Sequence, residues 1–356
     1  MEQIIKQCAG IDCAKKDFAV TFSVCDAMHE IQHLSCRTFA NDESGFKAFN
    51  KWIGKYYKRS LPLSLVMEAT GVYHERLAYF LNDLGYQVVI LLPKRAKDFS
   101  KTLKIKKITD KIASQYLAIM GLEKKLDLWN KPKKEYLDLR HLGREKERIQ
   151  HQITQIKNQL EAETSGAHPC KKTISRIKEL IKILQKQKKE VLAEMEQVIN
   201  SNAELKEKVR KITTIPGIGL MTAATVIGET DGFNHVKNKR QLVSYAGYDI
   251  INQESGTSVK TKARISKRGN RNIRKAMHMP ALTSIRKEIN SKNLFIRLVT
   301  RTGIKMKGVV AVQRKLLVLI YTLWKNGTEY DPDYEAKKEG SLTLPHELDL
   351  VRSLNP

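Results

Sequence analysis

Three strand-like segments follow one another within residues 4–40, and they constrain the fold of the first third of the chain more than any other feature. IIKQCAGID ends in an acid, DFAVTFSVCD alternates apolar and polar residues, and IQHLSCRTF follows after a short turn. Alternation with a period of two is typical of strands that are buried on one face. The short connections between the segments predict hairpin-like neighbours.

Helices and strands then alternate over the next 50 or so residues. NDESGFKAFNKWIGKYY predicts a helix capped by Asn41 or Asp42, and LPLSLVMEATG predicts a buried strand with Glu68 at its end. VYHERLAYFLNDLG predicts an amphipathic helix closed by Gly85, and YQVVILLP predicts another buried strand. This order of elements indicates a mixed α/β domain of the ribonuclease H type over residues 1–130.

The middle of the chain has a helical pattern. Apolar residues recur at steps of three and four from Ile149 to Leu160, and again from Ile174 to Val198 after the Gly/Pro break TSGAHPC. Charged residues fill the other faces. Residues 131–210 are therefore predicted to form an antiparallel coiled coil or one arm of an oligomer. Two ordinary packed helices would give the same pattern.

The last third of the chain predicts a mostly helical region over residues 211–330. TTIPGIGLMTAATVIGE contains a Pro-Gly-x-Gly turn between apolar segments, and VVAVQRKLLVLIYTLWKNG predicts a buried helix that ends at Gly327. Residues 331–356 predict a polar tail. The expected fold class is therefore α/β plus all-α, with the coiled coil between the two folded regions.

The charge of the chain indicates what it binds. The sequence holds 64 Lys and Arg against 38 Asp and Glu, a formal net charge of +26. Contacts from Lys and Arg to phosphates dominate nucleic-acid binding, so an excess of this size favours DNA or RNA as the partner. The alternative is a basic protein without such a partner.

Cysteine usage and hydropathy bear on the compartment. No CxxC pair and no zinc spacing occur among the five cysteines, which are Cys8, Cys13, Cys25, Cys36 and Cys170. An odd, scattered set of this kind predicts reduced thiols. No stretch approaches the roughly 18 apolar residues that a membrane span needs. We therefore expect a cytoplasmic protein without a membrane partner.

Three acids are candidates for a metal site. Asp12 and Glu68 end predicted strands, and Asp110 opens a predicted helix in ITDKIASQYLA. Strand ends are where an α/β sheet presents side chains to a crevice. Three carboxylates brought together would repel one another unless a hard cation such as Mg²⁺ or Mn²⁺ neutralised them. Taken singly, each acid also fits an ordinary turn, surface salt bridge or helix N-terminus.

The PGIG turn is a candidate for DNA backbone contact. Paired glycines, here Gly217 and Gly219, let backbone amides approach a phosphate between two helices. A tight turn without a ligand has the same sequence.

Ser255 is a candidate nucleophile. It lies in NQESGTSVKTK, just before a basic segment whose cations could stabilise charge on a phosphoryl group. Ser-Gly is also a common loop dipeptide, and the residues alone favour that interpretation.

The basic segment itself is a candidate phosphate-binding surface. A solvated helix face normally mixes both signs of charge, whereas KTKARISKRGNRNIRKA contains no acid. Its cations are Lys260, Lys262, Arg264, Lys267, Arg268, Arg271, Arg274 and Lys275.

Taken together, these motifs resemble those of a known family. AGIDCAKKDF, VMEATGVYHERL, ITDKIASQYLA, IPGIGLMTAATVIGE, LVSYAGYDIINQESG and ISKRGNRNIRKA occur in the order found in the Piv-type DEDD recombinases. These are insertion-sequence transposases guided by a bridge RNA. The resemblance runs from about residue 7 to about residue 325, nearly the whole chain.

The resemblance implies a RuvC-like N-terminal domain, a coiled coil and a C-terminal transposase domain with a catalytic serine. It implies that Asp12, Glu68 and Asp110 bind a divalent metal, and that Ser255 forms a covalent phosphoserine during recombination. It further implies a non-coding RNA that pairs with double-stranded donor and target DNA. The family acts as homo-oligomers, dimers or tetramers, with composite sites.

One residue departs from the family pattern. The family has Asp-Lys-x-Asp-Ala after the third acid, whereas this chain has Asp110-Lys111-Ile112-Ala113-Ser114. Ala113 therefore stands in the place of the fourth acid. Either the residue was altered to block cleavage, or this is a natural copy that has lost activity, or three acids suffice. The intact surroundings of the motif favour the first explanation.

We therefore expect an RNA-guided DNA recombinase, active in its unaltered form. A structure-selective nuclease of the Holliday-junction class is the alternative that needs the same acids but no serine. A nucleic-acid-binding protein without catalysis is the other alternative, which Ala113 would permit.

Overall fold

A computed structural model describes most of the chain. The described residues are 3–105, 109–251, 254–255, 259–260 and 264–334, with residues 254–255 and 259–260 described by their backbone alone. The chain forms two compact units, Met1–Lys131 and Pro132–Pro356. Across the described parts of both units, no helix has the length and apolar character to cross a bilayer.

A five-stranded mixed sheet forms the centre of the first unit. Its strands are β1 (Ile4–Cys13), β2 (Asp17–Asp26), β3 (Ile31–Ala40), β4 (Leu63–Glu68) and β5 (Gln87–Leu91). The order across the sheet is β3-β2-β1-β4-β5, with antiparallel pairing from β1 to β3 and parallel pairing from β1 through β4 to β5. This order is that of a ribonuclease H-like domain, so the predicted fold is confirmed.

Helices cover both faces of this sheet. They are α1 (Glu43–Ile53), α2 (Glu75–Asp83), α3 (Pro93–Thr102) and α4 (Asp110–Glu123). Side chains alternate across the strands, so Ile11 packs in the core with α1 and α2, whereas Cys8 and Val66 pack in the core with α3 and α4. As predicted, Asp42 caps α1, and its carboxylate accepts a hydrogen bond of 2.8 Å from the Gly45 amide.

Helix α4 packs directly against the backbone of β1 at Gly10. A Cβ atom at residue 10 would overlap the backbone carbonyl of Ser114 and the backbone amide of Ala118. A buried hydrogen bond of 2.7 Å between the hydroxyls of Ser114 and Thr21 joins the same helix to β2. Gly10 therefore fixes the position of α4, and with it the position of Asp110.

The second unit begins with two long antiparallel helices, α5 (Lys134–Ser165) and α6 (Lys171–Asn200). Lys188 of α6 donates to Gln150 of α5 at 2.6 Å, and Asn202, just after α6, donates to Glu135 near the start of α5 at 3.1 Å. The end of α6 therefore lies beside the start of α5. The seam contains the predicted apolar residues Ile149, Ile153, Leu184 and Val191.

The rest of this unit is a helical core with a small hairpin. Its helices are α7 (Ala203–Thr213), α8 (Leu220–Thr230), α9 (Lys239–Tyr245), α10 (Arg271–Ala276), α11 (His278–Lys287), α12 (Ile289–Thr302) and α13 (Lys305–Asn326). Four two-residue strands, β6 (Ile250–Ile251), β7 (Glu254–Ser255), β8 (Val259–Lys260) and β9 (Arg264–Ile265), pair as β6 with β9 and β7 with β8. Gly327, in the left-handed conformation, ends α13 as predicted. Residues 335–356 of the predicted tail lie outside the described residues.

Replacing Gly10 should displace α4. We expect Gly10→Ala to lower the free energy of unfolding by about 2–3 kcal/mol, because the added methyl group meets helix backbone that cannot move alone. Urea unfolding measures the change. Gly54→Ala is the matched control in the same unit, since a Cβ there comes no closer than 3.5 Å to another atom. Equal effects of the two substitutions would show that the close approach has no energetic weight.

Candidate active site

Parallel pairing brings Asp12 and Glu68 to one edge of the sheet. The register of β1 and β4 pairs Ile11 with Met67, and each acid is the next residue along its strand. Carboxyl ends of adjacent parallel strands lie side by side. The two acids predicted at strand ends are therefore neighbours in the fold.

Asp110 reaches the same edge from α4. It is the first residue of that helix, and the Thr109 hydroxyl before it accepts a hydrogen bond of 3.3 Å from the Ile112 amide. Burial, followed by the charges of Asp110 and Glu68, raises the pKa of Asp12 to about 6. The carboxylates of Asp110 and Glu68 are thus close enough to Asp12 to oppose its ionisation.

Tyr116 also belongs to this cluster, although no sequence motif identified it. Its hydroxyl lies 3.4 Å from one carboxylate oxygen of Glu68, and the Thr70 hydroxyl lies 3.3 Å from the other. Burial and the nearby charges of Glu68 and Asp12 raise the pKa of Tyr116 to about 12, so it stays a neutral donor. The signal available in the sequence was its spacing of one helical turn from Ala113.

Ala113 is 5% exposed on the inner face of α4. It packs in the same apolar cluster as Val66, Leu91 and Tyr116. A longer side chain at this position would have to find room among these packed side chains. The structure therefore gives residue 113 an inward direction, and the alanine supplies no polar atom.

The acids do not form a closed metal shell as they stand. In the described ranges, no group of three or more His, Cys, Asp or Glu side chains is arranged to hold a metal ion. The donor set nevertheless has the right chemistry, because carboxylate oxygens suit hard divalent cations. Burial, followed by the charges of Asp110 and Glu68, raises the pKa of Asp12, and a nearby cation would lower it. The site is a cluster of like charges that a cation would stabilise.

Ser255 lies in a hairpin of the second unit. It is in β7, opposite Val259 of β8, and β6 pairs with β9 nearer the helical core. The side chain of Ser255 lies outside the described residues. The acids belong to the first unit and this serine to the second.

The predicted basic segment divides into exposed and engaged cations. Arg264, Lys267, Arg268 and Arg271 are exposed. Arg274 instead donates to the carbonyl oxygens of Ala246 at 2.8 Å and Gly269 at 3.1 Å. Lys275 pairs with Glu147 of α5. Lys262 and the side chain of Lys260 lie outside the described residues.

A buried acid near the end of α8, Glu229, holds the middle of this segment. Its carboxylate accepts hydrogen bonds from Arg144 of α5 and from the amide side chains of Asn270 and Asn272. The segment itself contains no acid, but α5 and α8 bring Glu147 and Glu229 against it. Sequence reasoning missed both acids because they are distant in the chain.

The two glycines of the PGIG turn have different surroundings. A Cβ atom on Gly217 would lie 2.6 Å from the backbone oxygen of Pro280 in α11, and its φ of +94° favours glycine. Gly219 precedes α8 and has open space around its Cα atom. Gly217 is therefore explained by packing, and Gly219 is the more accessible of the two.

Comparisons with known proteins agree with this architecture. A model of the IS116/IS110/IS902 transposase family matches residues 209–295, and a model of IS110-type DEDD transposases matches residues 9–169. The chain is 28% identical to the pilin gene-inverting protein of Moraxella lacunata over 326 residues, which is 90% of this chain and 97% of that protein.

Two further similarities cover shorter stretches. The transposase for insertion sequence element IS1111A of Coxiella burnetii is 26% identical over 138 residues, which is 38% of this chain and 37% of that protein. The structure of Thermus thermophilus RuvC in complex with a Holliday junction substrate matches 35% of this chain and 99% of its own, at 9% identity and a TM-score of 0.27.

These findings define an enzyme that rearranges DNA, a recombinase or transposase. The chain belongs to the IS110 family of DEDD transposases.

Without divalent ions, Asp12→Asn should stabilise the protein at pH 7.5. Because the pKa of Asp12 is raised to about 6, the folded state binds more protons than the unfolded state between about pH 4 and 6, and stability falls as the pH rises through that window. After discounting for partial exposure, we expect a gain of about 1 kcal/mol above pH 6 and none below pH 4.

Thermal unfolding across this pH range measures the effect. Asp17→Asn, at the exposed start of β2, is the matched control and should show no such pH dependence. A less stable Asp12→Asn variant in metal-free buffer at pH 7.5 would contradict the raised pKa of Asp12.

Proposed function

We propose that this transposase exchanges DNA strands through a covalent phosphoserine, with Ser255 as nucleophile and Asp12, Glu68 and Asp110 as ligands of Mg²⁺ or Mn²⁺. The observation that carries the proposal is the convergence of three acids at one sheet edge, where burial, followed by the charges of the other two acids, raises the pKa of Asp12. A divalent ion held by these acids would stabilise the negative charge that develops on phosphate oxygens during strand transfer.

The proposed reaction conserves phosphodiester bonds. The Ser255 hydroxyl oxygen attacks a DNA phosphorus atom and gives its proton to a base, while the bond from phosphorus to one deoxyribose oxygen breaks and that oxygen gains a proton. In the second step, a deoxyribose hydroxyl of another strand attacks the phosphoserine. This restores the serine and forms the recombined phosphodiester.

The proposed partners are double-stranded donor and target DNA together with a guide RNA. The net charge of +26 supports a polyanionic partner, and phosphate contacts bind without reading sequence. The choice of sites is then left to base pairing by the RNA, as the family resemblance implies. Sequencing RNA that co-purifies with the protein tests this part, and its failure would leave the DNA chemistry in place.

The α5–α6 arm is proposed to assemble copies of the chain into a dimer or tetramer. Leu180 and Ile183 of α6 lie outside the seam and remain 44% and 49% exposed. Apolar side chains of this size on a long charged helix suit a contact with another copy. Light scattering of the protein with and without nucleic acid measures the assembly.

Ser255→Ala should abolish recombination and the covalent protein–DNA adduct while leaving nucleic-acid binding intact. Adduct is detected as radiolabelled DNA that stays with the denatured protein. Ser244→Ala, on the exposed side of α9, is the matched control and should behave as the parent.

Two outcomes would count against the serine. Adduct that persists in Ser255→Ala would assign the nucleophile elsewhere. Metal-dependent release of nicked, unlinked DNA by both the parent protein and Ser255→Ala would favour a nuclease of the Holliday-junction class.

Ala113→Asp should restore Mg²⁺-dependent strand exchange to a chain that binds its nucleic acids but recombines poorly. A carboxylate at residue 113 shares a helix face with Asp110 and adds a hard oxygen ligand. Because the site is buried, the new charge should also make folding more dependent on the cation.

Recombination of a donor and target pair, with a metal titration, measures the gain. Ala113→Asn introduces a side chain of the same size as aspartate but without its charge, and it should recover little activity. If the alanine form is already fully active, three acids suffice. If Ala113→Asp binds nucleic acid yet exchanges no strands, the protein acts as a binding protein without catalysis.

A further inference from the structure

The carboxylate of Glu229 is the most completely coordinated acid of the second unit's described residues, and the proposed reaction does not use it. One oxygen accepts from Arg144 Nε and from the Asn272 amide, both at 2.7 Å. The other accepts from Arg144 Nη2 at 2.8 Å and from the Asn270 amide at 2.7 Å. The side chain is only 2% exposed.

This geometry requires an ionised carboxylate. All four groups around Glu229 are N–H donors, and a carboxylate is the side chain that offers acceptors alone. Burial opposes the charge, but the bonds from Arg144, Asn270 and Asn272 hold the pKa of Glu229 below its usual value. A buried charge with a bidentate arginine and no unmet acceptor is stable in the folded state.

The cluster fixes the backbone of the basic segment at the start of α10. Besides donating to Glu229, Asn270 accepts from the amides of Asn272 at 2.9 Å and Ile273 at 3.1 Å, which caps the helix. Its own backbone amide donates to the Tyr245 carbonyl at 2.7 Å. Loss of the carboxylate would therefore loosen the cap as well as the link to α8.

The same cluster lies among the exposed cations, a few residues after the base of the serine hairpin. Lys267, Arg268 and Arg271 are exposed on either side of Asn270. Just before them, the Ser266 amide donates to the Asp249 carbonyl at 2.7 Å, where the hairpin joins the core. Movement at Asn270 would thus change where both groups are presented.

Helix α5 holds the segment at a second point. Glu147 lies one turn beyond Arg144 on that helix and pairs with Lys275 of α10. At the first contact α5 contributes the arginine, Arg144, and at the second it contributes the acid, Glu147. The start and end of α10 are therefore both tied to the long helix.

We propose that Glu229 is a positioning residue for nucleic-acid binding, which ties the segment Ser266–Lys275 to α5 and α8 so that Lys267, Arg268 and Arg271 meet the phosphate backbone in one fixed arrangement. The inference rests on the proposed function of this segment as a nucleic-acid contact. A preorganised set of cations loses less conformational freedom on binding than a mobile one.

The test is the salt dependence of duplex DNA binding by Glu229→Gln. Glutamine places an N–H group against donors in either orientation, so the segment should detach. If the three cations lose their phosphate contacts, the slope of log K against log salt should become less steep by up to about 2.7, at about 0.9 for each contact. A residue with a purely structural role would leave this slope unchanged in protein that remains folded.

Glu207→Gln is the matched control. Glu207 of α7 accepts a bidentate pair from Arg210, with both distances at 2.8 Å, but this pair is about half exposed and involves no residue of the basic segment. Its loss should leave the salt slope of the parent protein. Asn272→Ala provides a milder change that keeps the Arg144–Glu229 ion pair and breaks one link to the segment, so it covers the case in which Glu229→Gln does not fold.

Arg268→Ala/Arg271→Ala separates failure of this inference from failure of the proposed function. If this double variant keeps the parent slope, the segment does not contact DNA and the proposed interface is wrong. If it flattens the slope while folded Glu229→Gln and Asn272→Ala do not, the positioning role is overturned. The expected result is that all three flatten the slope, and that Glu229→Gln adds less in the double-variant background than in the parent.

Discussion

The close contact between α4 and β1 is the constraint on which the candidate active site depends. Gly10 leaves no side chain between strand and helix, so the backbone of α4 rests against the sheet. That contact, with the parallel pairing of β1 and β4, places Asp110 near Asp12 and Glu68. Without that contact, Asp12 and Glu68 would only mark the ends of two strands, and Asp110 would only be the first residue of a helix.

The pKa of a buried acid is shifted upward in the first unit and downward in the second. In the first unit, Asp12 is partly buried beside two other carboxylates, and its pKa rises because of that burial and then because of the charges of Asp110 and Glu68. In the second unit, Glu229 is more deeply buried but meets four donors, and its pKa is lowered. Unmet charge favours a ligand, whereas satisfied charge favours a structural role.

Family membership and geometry give different kinds of information about this protein. The matching family models and the similarity to a pilin gene-inverting protein define a DNA transposase. The position of a residue in the fold indicates whether it could take part in the reaction. Ala113, for example, is buried on the inner face of α4, in the apolar cluster that also holds Val66 and Tyr116.

The sequence by itself determined the elements whose physics is local. Alternation predicted the strands, apolar runs placed Asp12 and Glu68 at strand ends, and helical periodicity predicted the α5–α6 seam. Helix α3 was missed because its sequence, PKRAKDFSKT, has too few apolar residues to show a period. Only the tertiary structure decided contacts between distant residues. Glu229 is 85 residues from Arg144 and 41 from Asn270, so no local pattern could show that a segment without acids is held by a buried one.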